Sequence, residues 1–206
     1  MPDSFDFRST SYFWLVSVIA IAAAFSVMGY FIATRRVKSN FVIFLARFGI
    51  VFFSLFVLEA AVISLLPSFH VTMQNLTATL VGGVLSLASA GHAISGSTII
   101  LQNPYLPFDI TAACLGGLLL WTYIALVLAE PTASNRQRID GILKGLAILL
   151  AFNFFRIILS IYLEWQTGFR VHNLFYFFNM LFVLLIWAGW LRTLKSQRTA
   201  YSQTTS

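Results

Sequence analysis

Residues 71–90 read VTMQNLTATLVGGVLSLASA, and whether this stretch crosses a membrane sets the orientation of every segment after it. It is long enough, since about 20 apolar residues cover ~30 Å of hydrocarbon. It is also diluted by Thr, Ser, Asn and a Gly pair. The question arises because the rest of the chain demands lipid. Of 206 residues, 59% are hydrophobic, 16% aromatic and only 10% charged, with 21 Phe; a soluble domain carries about 25% charge. This composition excludes a soluble globular domain. It predicts a single integral membrane domain over 1–206.

Four further stretches compete for the bilayer, besides one at the N-terminal end. Residues 12–34 are apolar and followed at once by RRVKSN. A cleaved signal peptide would carry its charge before a shorter apolar core, so this run reads as a retained span. The others are 41–66, ending at Pro67, then 112–130, 141–163 and 173–191, the last followed by a basic tail over 192–206. Segment 91–109, GHAISGSTIILQNPYLPFD, alternates short apolar runs with Gly, Asn and Pro, the pattern of a strand or hairpin and loop.

The positive-inside rule arbitrates on 71–90. If it does not cross, Arg35, Arg36, Lys38, Arg136, Arg138, Lys144, Arg192, Lys195 and Arg198 share one side, against Arg8 and Arg170 on the other. If it crosses, that distribution is nearly inverted. The predicted fold is therefore an all-α, multi-pass helical bundle in the cell membrane. It has about five spanning helices, the N-terminus outside and the C-terminus inside. An external or re-entrant helix and a short hairpin or loop occupy 67–111.

This topology places three chemically capable side chains at one depth near the outer face. Cys114, the only cysteine, opens the third span; Arg156 lies in the outer half of the fourth; His172 opens the fifth. A buried cysteine commonly serves as a small hydrophobe. At a helix N-terminus, however, exposed N–H groups and the helix dipole favour the thiolate, which is the nucleophile. An arginine within a span costs ~2.5–3.5 kcal/mol on the insertion scale and tends to face a partner or a cavity, unless it snorkels outward along its stem. An imidazole accepts and donates protons near neutral pH.

Glu59, in the outer half of span two, is a candidate to pair with Arg156 or to face the same site. Arg47 reads as a snorkelling residue. His70 and His92 lack metal-ligand company, so no metal site is expected, and no cofactor motif is present. Gly141 and Gly145 in GILKG fit small-residue helix packing in lipid. The net charge of +6 is accounted for by the membrane flanks and requires no nucleic acid.

The segments TAACLGG around Cys114, NFFRII with Asn153 and Arg156, and HNLFYFF from His172, in that order, resemble the exosortase and archaeosortase family of membrane cysteine transpeptidases. The resemblance covers roughly 75–190. It implies Cys114 as nucleophile, Arg156 stabilising the thiolate or oxyanion, and His172 as general acid and base, with Glu59 and Asn153 as candidate supporting residues. It also implies a substrate class: secreted proteins ending in a recognition motif, a transmembrane segment and a basic cluster, cleaved through a thioester and passed to an acceptor. Two positions depart from the family pattern. Leu115 stands where Ser or Thr often follows the cysteine, and Tyr176 stands where Gly often occurs. The competing expectation is a non-enzymatic membrane protein, a transporter subunit or assembly scaffold, in which Arg156 and Glu59 form a structural or substrate ion pair.

Overall fold

The computed structural model describes residues 29, 40–87, 91–102, 105–168 and 172–204. The elements are α1 (Asn40–Leu65), α2 (Pro67–Leu87), β1 (His92–Ser95), β2 (Thr98–Leu101), β3 (Leu106–Asp109), a 3-10 turn (Ala112–Leu115), α3 (Gly117–Ala129), α4 (Asn135–Thr167) and α5 (His172–Thr204). The predicted span 12–34 lies outside the described residues, except Gly29, which is helical and buried.

Three of these segments are long and apolar enough to cross a membrane: α1, α4, and residues Phe178–Ser196 within α5. Their outer faces carry exposed large apolar side chains, including Leu58, Leu143, Leu150, Phe155 and Leu185, as lipid-facing surfaces require. The predicted span 112–130 is corrected. Its residues 112–115 are spent on the 3-10 turn, and α3 has only 13 residues, about 20 Å at 1.5 Å per residue. By itself that falls short of ~30 Å of hydrocarbon.

Pro67 separates α1 from α2. Proline has no N–H to give to the preceding turn and its ring clashes with the helix before it, but it suits the first position of a new helix. The resulting α2 is 21 residues long yet is not among the helices apolar enough to cross. It is followed by an antiparallel meander, β1-β2-β3, with Ser95 paired to Thr98 and Ile99 to Phe108. Gly96, at φ 60, makes the first hairpin turn, a backbone region where glycine has no Cβ to clash.

Ile99, Leu101 and Phe108 of the sheet bury against Ala78, Val81 and Leu85 of α2 and Ile157 and Ile161 of α4. Gly82 permits the approach: a Cβ there would fall 2.5 Å from Ile94 Cδ1 and 3.1 Å from His92 Nε2. A second core joins the helices. Leu119, Tyr123, Leu126 and Val127 of α3 meet Leu149 of α4 and Val183 of α5, with Phe44 and Phe48 of α1 packed alongside.

Helix α4 begins with a complete capping box, Ser134 and Gln137 each satisfying the other's backbone N–H, and ends at Gly168 with φ 69. Gly141 and Gly145 give it two notches. The indole of Trp190 fills the first and the ring of Tyr123 the second, and the Tyr123 hydroxyl donates to Gly141 O at 2.9 Å. The small-residue packing read from GILKG thus draws α5 and α3 onto successive notches of one helix.

Candidate active site

Cys114 sits in the 3-10 turn, two residues before Gly116. Its backbone N–H donates to Thr111 O at 3.0 Å, and its Sγ is 3.5 Å from Thr111 Oγ1, a contact in which either atom can donate. The segment leading into the turn is tied at one carbonyl and one N–H. Ile110 N donates to Ser97 O at 2.9 Å, and Gln74 Nε2 donates to Ile110 O at 2.9 Å. The thiol's position is therefore fixed by both the meander and α2.

Beyond Cys114 the chain turns sharply. Gly116 has φ 79 and ψ 17, left-handed values that cost a residue with a Cβ about 1–2 kcal/mol. A Cβ at Gly116 would also stand 3.0 Å from the Asn153 amide. Asn153 uses this proximity: its Nδ2 donates to Cys114 O at 2.8 Å. The cysteine turn is thereby hooked onto the middle of α4.

That face of α4 is unusual for a membrane helix. Asn153, Arg156, Ser160 and Glu164 are buried together with Leu149, Ile157 and Ile161, a stripe at the three- and four-residue spacing that lines one helix face. Four polar side chains of α4 thus point into protein, while apolar groups on its other face, such as Phe155, point outward. Arg156 is 1% exposed, which excludes the snorkelling reading. Cys114 packs in the same cluster as Ile157, and its turn is bonded to Asn153, one turn of α4 from Arg156 on the same buried stripe.

Glu59 lies elsewhere around the same turn. Its carboxylate packs against the Cα of Gly117, the first residue of α3, with Trp121 and His70 in electrostatic reach. The helix N-terminus expected to favour a Cys114 thiolate thus already faces the Glu59 carboxyl group. The cysteine itself stands three residues upstream of the helix.

The expected common depth is also adjusted. The rings of Phe152 and Phe182 stack with centroids 3.8 Å apart, which sets the relative level of α4 and α5. From there Arg156 lies one turn, about 6 Å, toward the Thr167 end of α4, whereas the backbone of His172 lies about 15 Å that way along α5. Arg156 and the Cys114 turn share a level; His172 opens α5 further along. The side chain of His172 lies outside the described residues.

Two contributors escaped the sequence reading. Thr111 supplies a hydroxyl beside the sulfur, from three residues before it, where the family resemblance anticipates one from the residue after. The one-turn spacing to Cys114 was the available signal. Gln74, 36 positions away from Ile110, left none. Among the described residues no three His, Cys, Asp or Glu side chains form a group able to hold a metal. Comparisons with protein-family models, curated proteins and solved structures found no match.

Proposed function

We propose that this chain is a membrane-embedded cysteine protease or transpeptidase of the exosortase and archaeosortase kind. In this reading the chain crosses the membrane five times, the short α3 crossing together with the 3-10 turn before it; the Cys114 turn faces outward, and the basic ends of α4 and α5 face inward. The supporting observation is the hook from Asn153 to the Cys114 carbonyl, which sets the lone cysteine against the helix face that carries a fully buried arginine.

The chemistry runs as follows. Cys114 Sγ, as thiolate, attacks the scissile peptide carbonyl and forms a tetrahedral oxyanion. Arg156, buried and permanently charged, stabilises that charge in a site where low dielectric strengthens the interaction. Expulsion of the amine, protonated by His172, leaves a thioester on Cys114. An acceptor, deprotonated by His172, then attacks the thioester carbonyl and releases the thiolate. The substrate is a secreted protein whose C-terminal motif, apolar span and basic cluster lie alongside these helices.

The test co-expresses the full chain with a reporter carrying such a tail. Cys114→Ser and Arg156→Ala are each expected to leave the reporter unprocessed while the protein accumulates normally. Wild-type processing by Cys114→Ser would remove the nucleophile assignment.

One observation favours a second reading. Cys114 is 1% exposed and surrounded by Ile110, Ile157 and Phe108, the setting of a cysteine that only fills space. Under that reading the chain is a non-enzymatic subunit or scaffold in which Arg156 and Glu59 provide the functional charges. Cys114→Ser would then be silent and Arg156→Ala would not.

A further inference from the structure

At the far end of the α4–α5 pair from His172 lies a groove lined by Arg136, Gln137 and Asp140 from the first turns of α4 and Trp190, Thr193 and Leu194 from the last apolar turns of α5. Its position follows from the notches: Trp190 seated on Gly141 holds the two helices together and leaves the space beyond it open. The apolar stretch of α5 ends at Ser196, and on α4 the charged residues Arg136, Arg138, Asp140 and Lys144 give way to an apolar run. The groove thus sits where hydrocarbon meets headgroups.

We propose that this groove binds the phosphate of an anionic phospholipid headgroup. Arg136 is exposed and its planar guanidinium offers two parallel N–H donors to a phosphate. Gln137, whose amide oxygen accepts from Ser134 N at 2.9 Å, lines the groove beside it. Asp140 opposes an anion, but its carboxylate is held by Lys144 Nζ at 2.8 Å, so that pair is close to neutral. Arg192 and Lys195 on the same end of α5 add positive potential. Trp190 and Leu194 provide an apolar wall for the glycerol and upper acyl chain, and tryptophan is suited to this depth.

The attraction comes from side chains. The capping box engages the backbone N–H groups of Ser134 and Gln137. Basic pockets between helices at a membrane's positive flank bind acidic headgroups in this manner. The site is independent of the Cys114 chemistry and stands or falls without it.

The test is native mass spectrometry of the full chain in detergent, titrated with phosphatidylglycerol, phosphatidylcholine or inorganic phosphate. Phosphatidylglycerol is expected to bind at least about tenfold more tightly than phosphatidylcholine. Arg136→Gln should reduce that binding about tenfold, while Arg192→Gln, on the same end but outside the groove, should reduce it less than threefold. Equal losses in the two variants would mean diffuse charge attraction and overturn the site. Inorganic phosphate binding as tightly as the lipid would overturn the headgroup assignment. A melting temperature within 2–3 °C of wild type for Arg136→Gln, as expected for an exposed side chain, keeps a loss of binding from being a loss of fold.

Discussion

At the scale of single residues, the site depends on one glycine that makes room and one amide that holds. Gly116→Ala places a Cβ at φ 79 and 3.0 Å from Asn153, so it is expected to destabilise the protein by about 1–3 kcal/mol, read as a lowered melting temperature in detergent. Asn153→Ala removes the bond to Cys114 O. Its cost in stability is about 1 kcal/mol, yet processing of a tailed reporter is expected to fall at least tenfold because the turn loses a buried side-chain anchor on α4. Asn153→Asp cannot donate when ionised and should fail likewise. Wild-type processing by Asn153→Ala would show that the hook does not position the nucleophile.

These residues differ in how far the sequence reveals them. Arg156 was legible because a charge inside an apolar run has a cost that demands an explanation. Asn153 was legible only through its three-residue spacing to Arg156. The placement of Glu59 at the start of α3 was not, because it depends on how α1 packs against a turn more than 50 positions away.

At the scale of elements, the glycines of α2 and α4 decide which helices touch. Gly82 and Gly83 are adjacent but face different surroundings: Ile94 and His92 crowd the first, and nothing lies within 4 Å of the second. Gly83→Ala is expected to stabilise by up to ~1 kcal/mol through helix propensity alone, whereas Gly82→Ala has to displace the ends of the Ile94 and His92 side chains and should destabilise. Thermal melting of the two variants reads the opposite signs directly; the same sign in both would refute the placement of β1 on α2. Gly145→Val drives a branched side chain into the Tyr123 ring, and overpacking of this kind costs about 1–3 kcal/mol.

The hairpin at 91–109 was legible because Gly, Asn and Pro punctuate it at turn spacing. The true start of α3 was not. Residues 112–116 are apolar or small, so hydropathy merges them with the helix that follows. Only the left-handed Gly116 separates them, and glycine by itself does not announce its backbone angle.

At the scale of the whole molecule, composition alone established the membrane class, and three described helices of sufficient length and apolarity agree with it. Orientation rests on the distribution of Lys and Arg. In a Cys114→Ala background, a membrane-impermeant thiol reagent applied to intact cells is expected to label Ser97→Cys in the first hairpin turn and to spare Ser196→Cys near the basic tail. The opposite labelling would invert the proposed topology and place the Cys114 turn on the inner side.

The central claim is that Cys114 forms a thioester with a substrate, and intact-mass measurement of the purified chain, co-expressed with a tailed reporter, addresses it most directly. The account predicts a covalent adduct that maps to the peptide containing Cys114, forms more slowly in His172→Ala, and is released by hydroxylamine. Processing of the reporter with no adduct on Cys114, or an adduct that persists in Cys114→Ala, would contradict it.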